Sequence, residues 1–491
     1  MAGLYDRRVS DEEFRQVVRR YPPSLFVPLV AAIGSEYVQP HQWMRSPYKK
    51  FTPWAIAEVA RASLVYGNEH RSDRPDSVSV LRACAAYVAV TDPDLAHHQQ
   101  DAFWKFISRV SYEQLRHQVP IFNELGRSVR LFGDDLAQSG AEVMRASWQS
   151  DLFGCSVVEY VATAFLVHVG AAKNSGTFSL DWLNQPNFVD VTAEISSDLI
   201  RAIVLEQFTA DASGIRHLNS KTVGPLPHRD LRRHRFNPLE AKPVISGLGP
   251  SLIVPSCSML MRKVSSSGIY FSGIQRWGDA FARDLGHRFE VYIGKQLRLL
   301  RHAQVSPAVR FDRGRRESVD WFAVFSDVVL LVEVKSTRST EALRVGGDPA
   351  SPDLRRILGK AVRQIEATAR QISNGAEEFG HIPNDRPLVG VIVTLEPVHA
   401  ANAARVKSEL DQISVPYTVC SASELEDVVC CESVSVGSRA LSLVSDPAKD
   451  GWSLHAELQG EMRRKNPIVS AAWAELPWAR EGEVGADNLV D

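Results

Sequence analysis

The segment Glu317–Ser336, ESVDWFAVFSDVVLLVEVKS, constrains the fold more than any other part of the chain. Val328–Val332 is apolar on both faces, the pattern of a central strand covered by helices on either side. The strand then delivers Glu333, Val334 and Lys335, and because strand side chains alternate, Glu333 and Lys335 share a face. Two charges at the end of a buried strand are costly unless they are paired or hold something. Ser326-Asp327 reads as a two-residue turn, with Ser318–Phe325 as the partner strand. With that turn Asp320 falls directly opposite Glu333. Opposed residues have Cβ atoms ~4.5–5.5 Å apart, and like charges there repel. Two carboxylates held this way invite a cation, and Mg²⁺ suits them because it is hard and is bound by one or two carboxylates with waters and phosphate. A turn displaced by one residue would put the carboxylates on opposite faces. Asp327 reads as a turn residue and Glu317 as a rim charge.

The surrounding order is helix Gln275–Leu300, strands Val305–Phe311, Ser318–Phe325 and Val328–Val334, helix Leu354–Ser373 and strand Pro387–Leu395. A helix Ala400–Gln412, a strand Tyr417–Cys420 and a capped helix Ser421–Val429 follow. This predicts an α/β domain over 275–435, one sheet with helices packed on it. A chain of 491 residues has room for more. Residues 1–212 read as helix after helix, opened by the capping-box spacing of Ser10 and Glu13 and continued by Thr52-Pro53, Ser79–Val90, Ala102–Val110, Tyr112–Val119, Phe122–Phe132, Ser156–Val169 and Ala193–Phe208. Residues 213–274 read as a basic linker and a junction of short strands at Val244–Ser246, Ser251–Val254 and Gly268–Phe271. Residues 436–491 read as a C-terminal helical appendage, with helices near Leu454–Met462 and Ile468–Glu475, and a disordered tail.

D-x12-E-V-K on consecutive strands resembles the signature of the PD-(D/E)XK nuclease superfamily, the restriction-endonuclease-like fold. Its αβββαβ core with a mixed sheet matches Gln275–Leu395 and leaves the helical region uncovered. GHRFEVYIGKQL supplies Glu290, where the family often has a glutamate on its first core helix. GKAVRQIEATARQ supplies Gln364, where it often has a glutamine after the third strand. Val319 stands where the signature's proline would be. The resemblance implies that Asp320 and Glu333 hold Mg²⁺ with the Val334 carbonyl, that Mn²⁺ substitutes, and that Glu290 ligates directly or through water. Lys335 would orient or deprotonate the attacking water, or stabilise developing phosphorane charge. Gln364 would help position the scissile strand or the lysine.

The formal charge of −2 excludes a histone-like basic protein but not a local basic face. Between Arg298 and Arg316, Asp312 faces Arg298, Arg301, Arg310, Arg313, Arg315 and Arg316. Arg310, Arg313, Arg315, Arg316, Arg338 and Lys360 flank the carboxylates in sequence and are the candidate DNA contacts, since guanidinium forks fit phosphate oxygens. The basic window 213–236 reads equally as a phosphate-binding arm or a solvated linker. No DNA- or RNA-binding fingerprint appears. His97, His98 and His168 stand apart from other ligand types. The cysteines Cys84, Cys155, Cys257, Cys420, Cys430 and Cys431 form no C-x-x-C pair and fit a reducing cytosol. The N-terminus lacks an apolar h-region, and Val157–Val169 is too short to span a bilayer. The expectation is a cytoplasmic, prokaryotic, Mg²⁺-dependent nuclease acting on DNA, of the kind found in phage defence or restriction, with no membrane partner. Its N-terminal region would bind regulatory or protein partners, and homodimerisation stays open. The alternatives are a catalytically silent nuclease-like scaffold and an RNA-directed nuclease.

Overall fold

The computed structural model describes residues 9–36, 51–96, 101–117, 120–133, 140–221, 226–336, 341–346 and 352–479. Its centre is a five-stranded mixed sheet made of β1 (Gln304–Pro307), β2 (Trp321–Val324), β3 (Val329–Lys335), β4 (Leu388–Thr394) and β5 (Tyr417–Ser421). The order across the sheet is β5-β4-β3-β2-β1. β1, β2 and β3 are antiparallel neighbours, whereas β4 runs parallel to both β3 and β5. Glu333–Lys335 and the ends of β4 and β5 therefore lie along one edge, with Thr394 in register with Lys335.

Helices cover both faces because β3 to β5 are apolar on both. Val329 and Leu331 pack with Leu358, Val362 and Ile365 of the helix Pro352–Ser373. Leu330, Val332 and Val334 pack with Phe289, Tyr292 and Ile293 of the helix Asp279–Leu297. These two helices are labelled α1 (Asp279–Leu297) and α3 (Pro352–Ser373), and the short helix Glu341–Gly346 between them is α2.

The N-terminal region is helical, as its periodicity predicts. The capping boxes of Ser10 with Glu13, Ser156 with Glu159 and Ser421 with Glu424 all form, as does the Thr52 cap. Its last helices share one hydrophobic core with the sheet, running from Leu125 to Leu476. Arg127 crosses this junction, donating from Nε and Nη2 to Glu426 at 2.6 and 2.8 Å, while Tyr292 donates to the same carboxylate at 2.5 Å. Asp284 on α1 accepts the backbone N–H groups of Glu142, Val143 and Met144.

Several elements differ from the sequence expectation. Gly268–Phe271 is no strand but part of a helix, Ser266–Trp277, whose N-cap Ser265 accepts the Gly268 N–H. The expected helix Gln275–Leu300 is broken at Gly278, where φ is +59° and glycine relieves the strain. Val305–Phe311 is split, and Arg310–Phe311 pairs with Arg316–Glu317 in a separate hairpin. Ala193–Phe208 is interrupted at Ile195 and ends in a π-turn at Ile203–Phe208. Of Ala400–Gln412 only Ala404–Lys407 is helical. A helix the periodicity missed, Val436–Ser445, covers the β2–β3 turn, where Ser438 Oγ donates to Asp327 at 2.6 Å. Taken together, Trp148–Lys173 is long and apolar enough to cross a membrane, contrary to the expectation from Val157–Val169 alone. It is broken at Gly154, and 56% of its most apolar window is buried inside the protein. All six cysteines are free and buried. The expected disordered tail and His97-His98 lie outside the described residues.

Candidate active site

The β2–β3 hairpin has the register that the sequence implies. Val324 pairs with Val329, Phe322 with Leu331 and Trp321 with Val332, and the Phe325 N–H donates to Val328 across the Ser326-Asp327 turn. Asp320, one step beyond Trp321, thus reaches the level of Glu333, and its Oδ2 accepts the Val334 N–H at 2.6 Å. Val334 enters the site through this N–H.

Glu333 is 1% exposed. Its Oε1 accepts Lys335 Nζ, so the strand-mates that share a face also share a bond. Its Oε2 is buried with no hydrogen-bond partner. Burial pushes the Glu333 carboxyl up to about 8, with Asp320 adding repulsion and Lys335 opposing it. Asp320 is also raised by burial, against the Val334 N–H and Lys335. Glu290 comes from α1, on the opposite face of the sheet. It is raised to about 7 by burial, then by Asp320 and Glu317, with Lys335 opposing, so it stands within electrostatic reach of Asp320 and Lys335. No hydrogen bond joins its carboxyl to Asp320, Glu333 or Lys335 among the described residues.

Two close packings fix the hairpin against the helices. Trp321 Nε1 donates to the Glu290 carbonyl at 3.0 Å. One turn further along α1, a Cβ on Gly294 would lie 2.0 Å from the Trp321 ring, so only glycine lets the indole seat. From the other face, Gln364 Nε2 donates to the Ser318 carbonyl at 2.7 Å. Thr368, one turn after Gln364 on α3, accepts the Val319 N–H at 3.0 Å through its hydroxyl. The two residues preceding Asp320 are therefore held by two side chains of one helix face. Gln364 acts on the backbone before the acid rather than on Lys335. Thr368 and Gly294 escaped the sequence reading. The spacing i, i+4 from Gln364 is a signal for the first, and a glycine inside an otherwise regular helix is a signal for the second.

Lys360 is exposed on α3 and lowers both Asp320 and Glu333 electrostatically. Arg310, Arg313, Arg315 and Arg316 are exposed on the hairpin that leads into Asp320. Arg310 pairs with Glu317 at 3.4 Å and Arg316 lies over the Phe311 ring, leaving Arg313 and Arg315 at the tip. Arg338 lies outside the described residues.

The described residues of the basic window 213–236 are folded. They form the helix Ala212–Lys221 and the turn Arg229–His234, and most of their arginines serve the helical region. Arg216 donates to the Leu64 carbonyl, Arg232 pairs with Asp11, and Arg233 donates to the Val90 carbonyl.

Among the described residues no three His, Cys, Asp or Glu side chains converge as a metal cage. Asp320 and Glu333 present oxygen donors only, one of them an orphaned buried carboxylate oxygen, which suits a hard divalent cation completed by water and substrate. A cavity of about 370 Å³ opens along the same sheet edge beyond β4 and β5, lined by His399, Asn402, Glu424 and Trp452, but none of the site residues lines it. No family model, curated protein or solved structure matches the chain, so the functional reading rests on this geometry.

Proposed function

We propose that the chain is a Mg²⁺-dependent nuclease of the PD-(D/E)XK type that hydrolyses phosphodiester bonds of DNA. The observation that carries this reading is the Asp320–Glu333 pair on adjacent strands, with Lys335 on one Glu333 oxygen and no donor on the other. The order of elements from α1 through β1, β2, β3, α3 and β4 supports it. A bound divalent cation would polarise the phosphoryl oxygen and lower the pKa of water. Asp320 and Glu333 would supply the oxygen donors for it, at the mouth of an apolar strand that keeps them from bulk water. Lys335, whose side chain is 16% exposed and whose ammonium is held on Glu333, would reach a phosphate oxygen or hold the attacking water. Gln364 and Thr368 set the position of Asp320 through the backbone. Arg313 and Arg315 of the hairpin, with Lys360 of α3, would grip the strand through its phosphates. The charge pattern carries no base-reading signal, which favours backbone contact over sequence recognition.

The test is direct. Full-length protein with Mg²⁺ or Mn²⁺ is expected to nick or degrade DNA in preference to RNA of the same sequence, and Asp320→Ala or Lys335→Ala is expected to abolish this. Cleavage that survives both substitutions, or its absence with either metal, overturns the proposal; RNA cleaved in preference replaces the substrate.

A further inference from the structure

The cavity beyond β4 and β5 is walled by loops that are tied to one another. Asn402 joins the loop after β4 to β5: its Oδ1 accepts the Val419 N–H at 2.7 Å and its Nδ2 donates to the Val419 carbonyl at 2.8 Å. Asp450, in the loop that carries Trp452, accepts the Ala404 N–H at 2.7 Å. Glu424 closes the capping box of Ser421 through Oε2, and Ser453 caps the short helix Leu454–Glu457. From the helical region, Tyr112 meets His399 edge to face, with ring centroids 4.7 Å apart. Ligands of open α/β sheets bind beyond the carboxyl ends of parallel strands, and β3, β4 and β5 all end on this edge.

The groups these ties leave unspent describe the occupant. Among the described residues no hydrogen bond engages Glu424 Oε1, the His399 ring or the Gln459 carboxamide, and all three residues line the cavity. Burial holds His399 at about 4, against Glu424 and Glu396, so it offers a neutral imidazole with one nitrogen to donate and one to accept. Trp452, also in the lining, is 48% exposed and leaves an indole face to solvent. No Lys or Arg is among the described residues of the lining, so an anionic ligand finds no counter-charge there. A volume of about 370 Å³ sits at the small end of ligand cavities, which run ~300–1,000 Å³. The occupant is therefore small, flat on one side, free of negative charge at the point of contact, and edged with both donors and acceptors.

We infer that this cavity receives an unpaired nucleobase with an exocyclic amine, stacked on Trp452 and donating its amine to Glu424. An indole face takes any base by stacking, and a carboxylate oxygen selects the amine, as it does on the edge of cytosine. His399 and Gln459 supply the mixed donors and acceptors that the rest of a base edge needs. An alkylammonium or guanidinium group would match Glu424 and the indole but, having donors only, would leave those acceptor-seeking groups unmet. The base comes either from a free nucleoside or from an unpaired stretch of a nucleic-acid strand, with its phosphates outside the cavity. This inference stands independently of the nuclease reading, since neither Asp320, Glu333 nor Lys335 lines the cavity.

Titration calorimetry of the full-length protein in chelator tests it with millimolar deoxycytidine, deoxyuridine, deoxycytidine 5′-monophosphate and agmatine. Deoxyuridine has the shape of deoxycytidine with an oxo group in place of the amine. Deoxycytidine is expected to bind about tenfold more tightly than deoxyuridine, the gain of one charge-assisted hydrogen bond, and the monophosphate no more tightly than the nucleoside. W452A is expected to weaken deoxycytidine by about tenfold through lost stacking, whereas W452F retains it. E424Q keeps an oxygen for the capping box and turns an amide N–H toward the base, so it is expected to reverse the order in favour of deoxyuridine. A single-stranded oligodeoxycytidine separates the two sources: weaker binding of it by W452A marks a base of a strand, and unchanged binding marks the free nucleoside. The inference is overturned if deoxycytidine does not bind, if W452A or E424Q leaves its affinity unchanged, if the monophosphate binds more tightly than the nucleoside, or if agmatine binds more tightly than either.

Discussion

Neutralising Asp320 should stabilise the metal-free protein while destroying its activity. The hairpin register holds Asp320 at the level of Glu333, where Cβ atoms lie about 5 Å apart. Two full negative charges at that separation repel by ~3 kcal/mol at an effective dielectric of about 20. Lys335 on Glu333 offsets part of this, leaving ~1–2 kcal/mol to be relieved. Asp320→Asn removes the charge but keeps a carbonyl oxygen to accept the Val334 N–H, so the hairpin loses no hydrogen bond.

The pH dependence supplies a second signature. Glu333, pushed up to about 8, and Glu290, raised to about 7, keep protons in the folded chain that they release near pH 4.5 when unfolded. The folded state binds the extra protons across that window, so their contribution is greatest below it and is lost as pH rises through the folded values. In chelator, D320N is therefore expected to melt above wild type at pH 8, with the difference shrinking toward pH 5. Millimolar Mg²⁺ should reverse the order, because only wild type gains from binding. D320N melting below wild type in chelator, or Mg²⁺ stabilising both proteins equally, would refute the placement of a repelling, cation-seeking pair.

Three further outcomes follow from the packing. Gly294→Ala should destabilise by about 1–3 kcal/mol in chemical denaturation although alanine favours helix by ~1 kcal/mol, because the new Cβ displaces the Trp321 indole; a gain in stability would show that the indole can yield. Thr368→Val is close to isosteric and strands the buried Val319 N–H, so it should cost about 1–3 kcal/mol and lower the rate of DNA cleavage, whereas unchanged stability and rate would remove Thr368 from the support of Asp320. Burial holds His168 at about 4, below its unfolded value near 6.5, so the unfolded chain takes up the proton first. Stability should then fall at ~1.4 kcal/mol per pH unit for this residue between those values, and His168→Gln should flatten the slope in melts from pH 7 to 4.5.

How much of this was legible in the sequence depends on how local each cause is. The β2–β3 register followed from the two-residue turn alone, because Val328–Val332 is apolar on both faces and carries no period-two signal; a turn displaced by one would have parted the two carboxylates. The capping box at Ser10 and the cap at Ser421 are complete within four residues and were legible in the sequence, and the box at Ser156 opens a helix expected there from its apolar run. The Ser266–Trp277 helix was misread because Gly268, Ile269, Tyr270 and Phe271 carry weak helix propensity, and what decides them is burial of Ile269 and Gly273 against neighbouring elements. The helix Val436–Ser445 was missed for the same reason, since Gly437 is needed only because it packs against Phe325 of the hairpin.

Charge was the least legible property, because a sequence counts charges while a fold decides which are spent. The window 213–236 and the hairpin at Arg310–Glu317 look alike as strings, each rich in arginine with few acids. In the first, Arg216, Arg232 and Arg233 meet carbonyls and a carboxylate more than a hundred residues away, so these three are spent within the fold. In the second, a tight hairpin holds Arg313 and Arg315 out at its tip, and among the described residues no ion pair engages either, Glu317 being paired with Arg310. The converse holds for Arg116 and Arg262, which no window of sequence groups together and which meet only when their segments fold against Glu240. A basic string is thus weak evidence for an anion site in either direction. The stronger criterion is whether a guanidinium is still without a carboxylate or carbonyl once the segments have folded together, and only tertiary structure can reveal that.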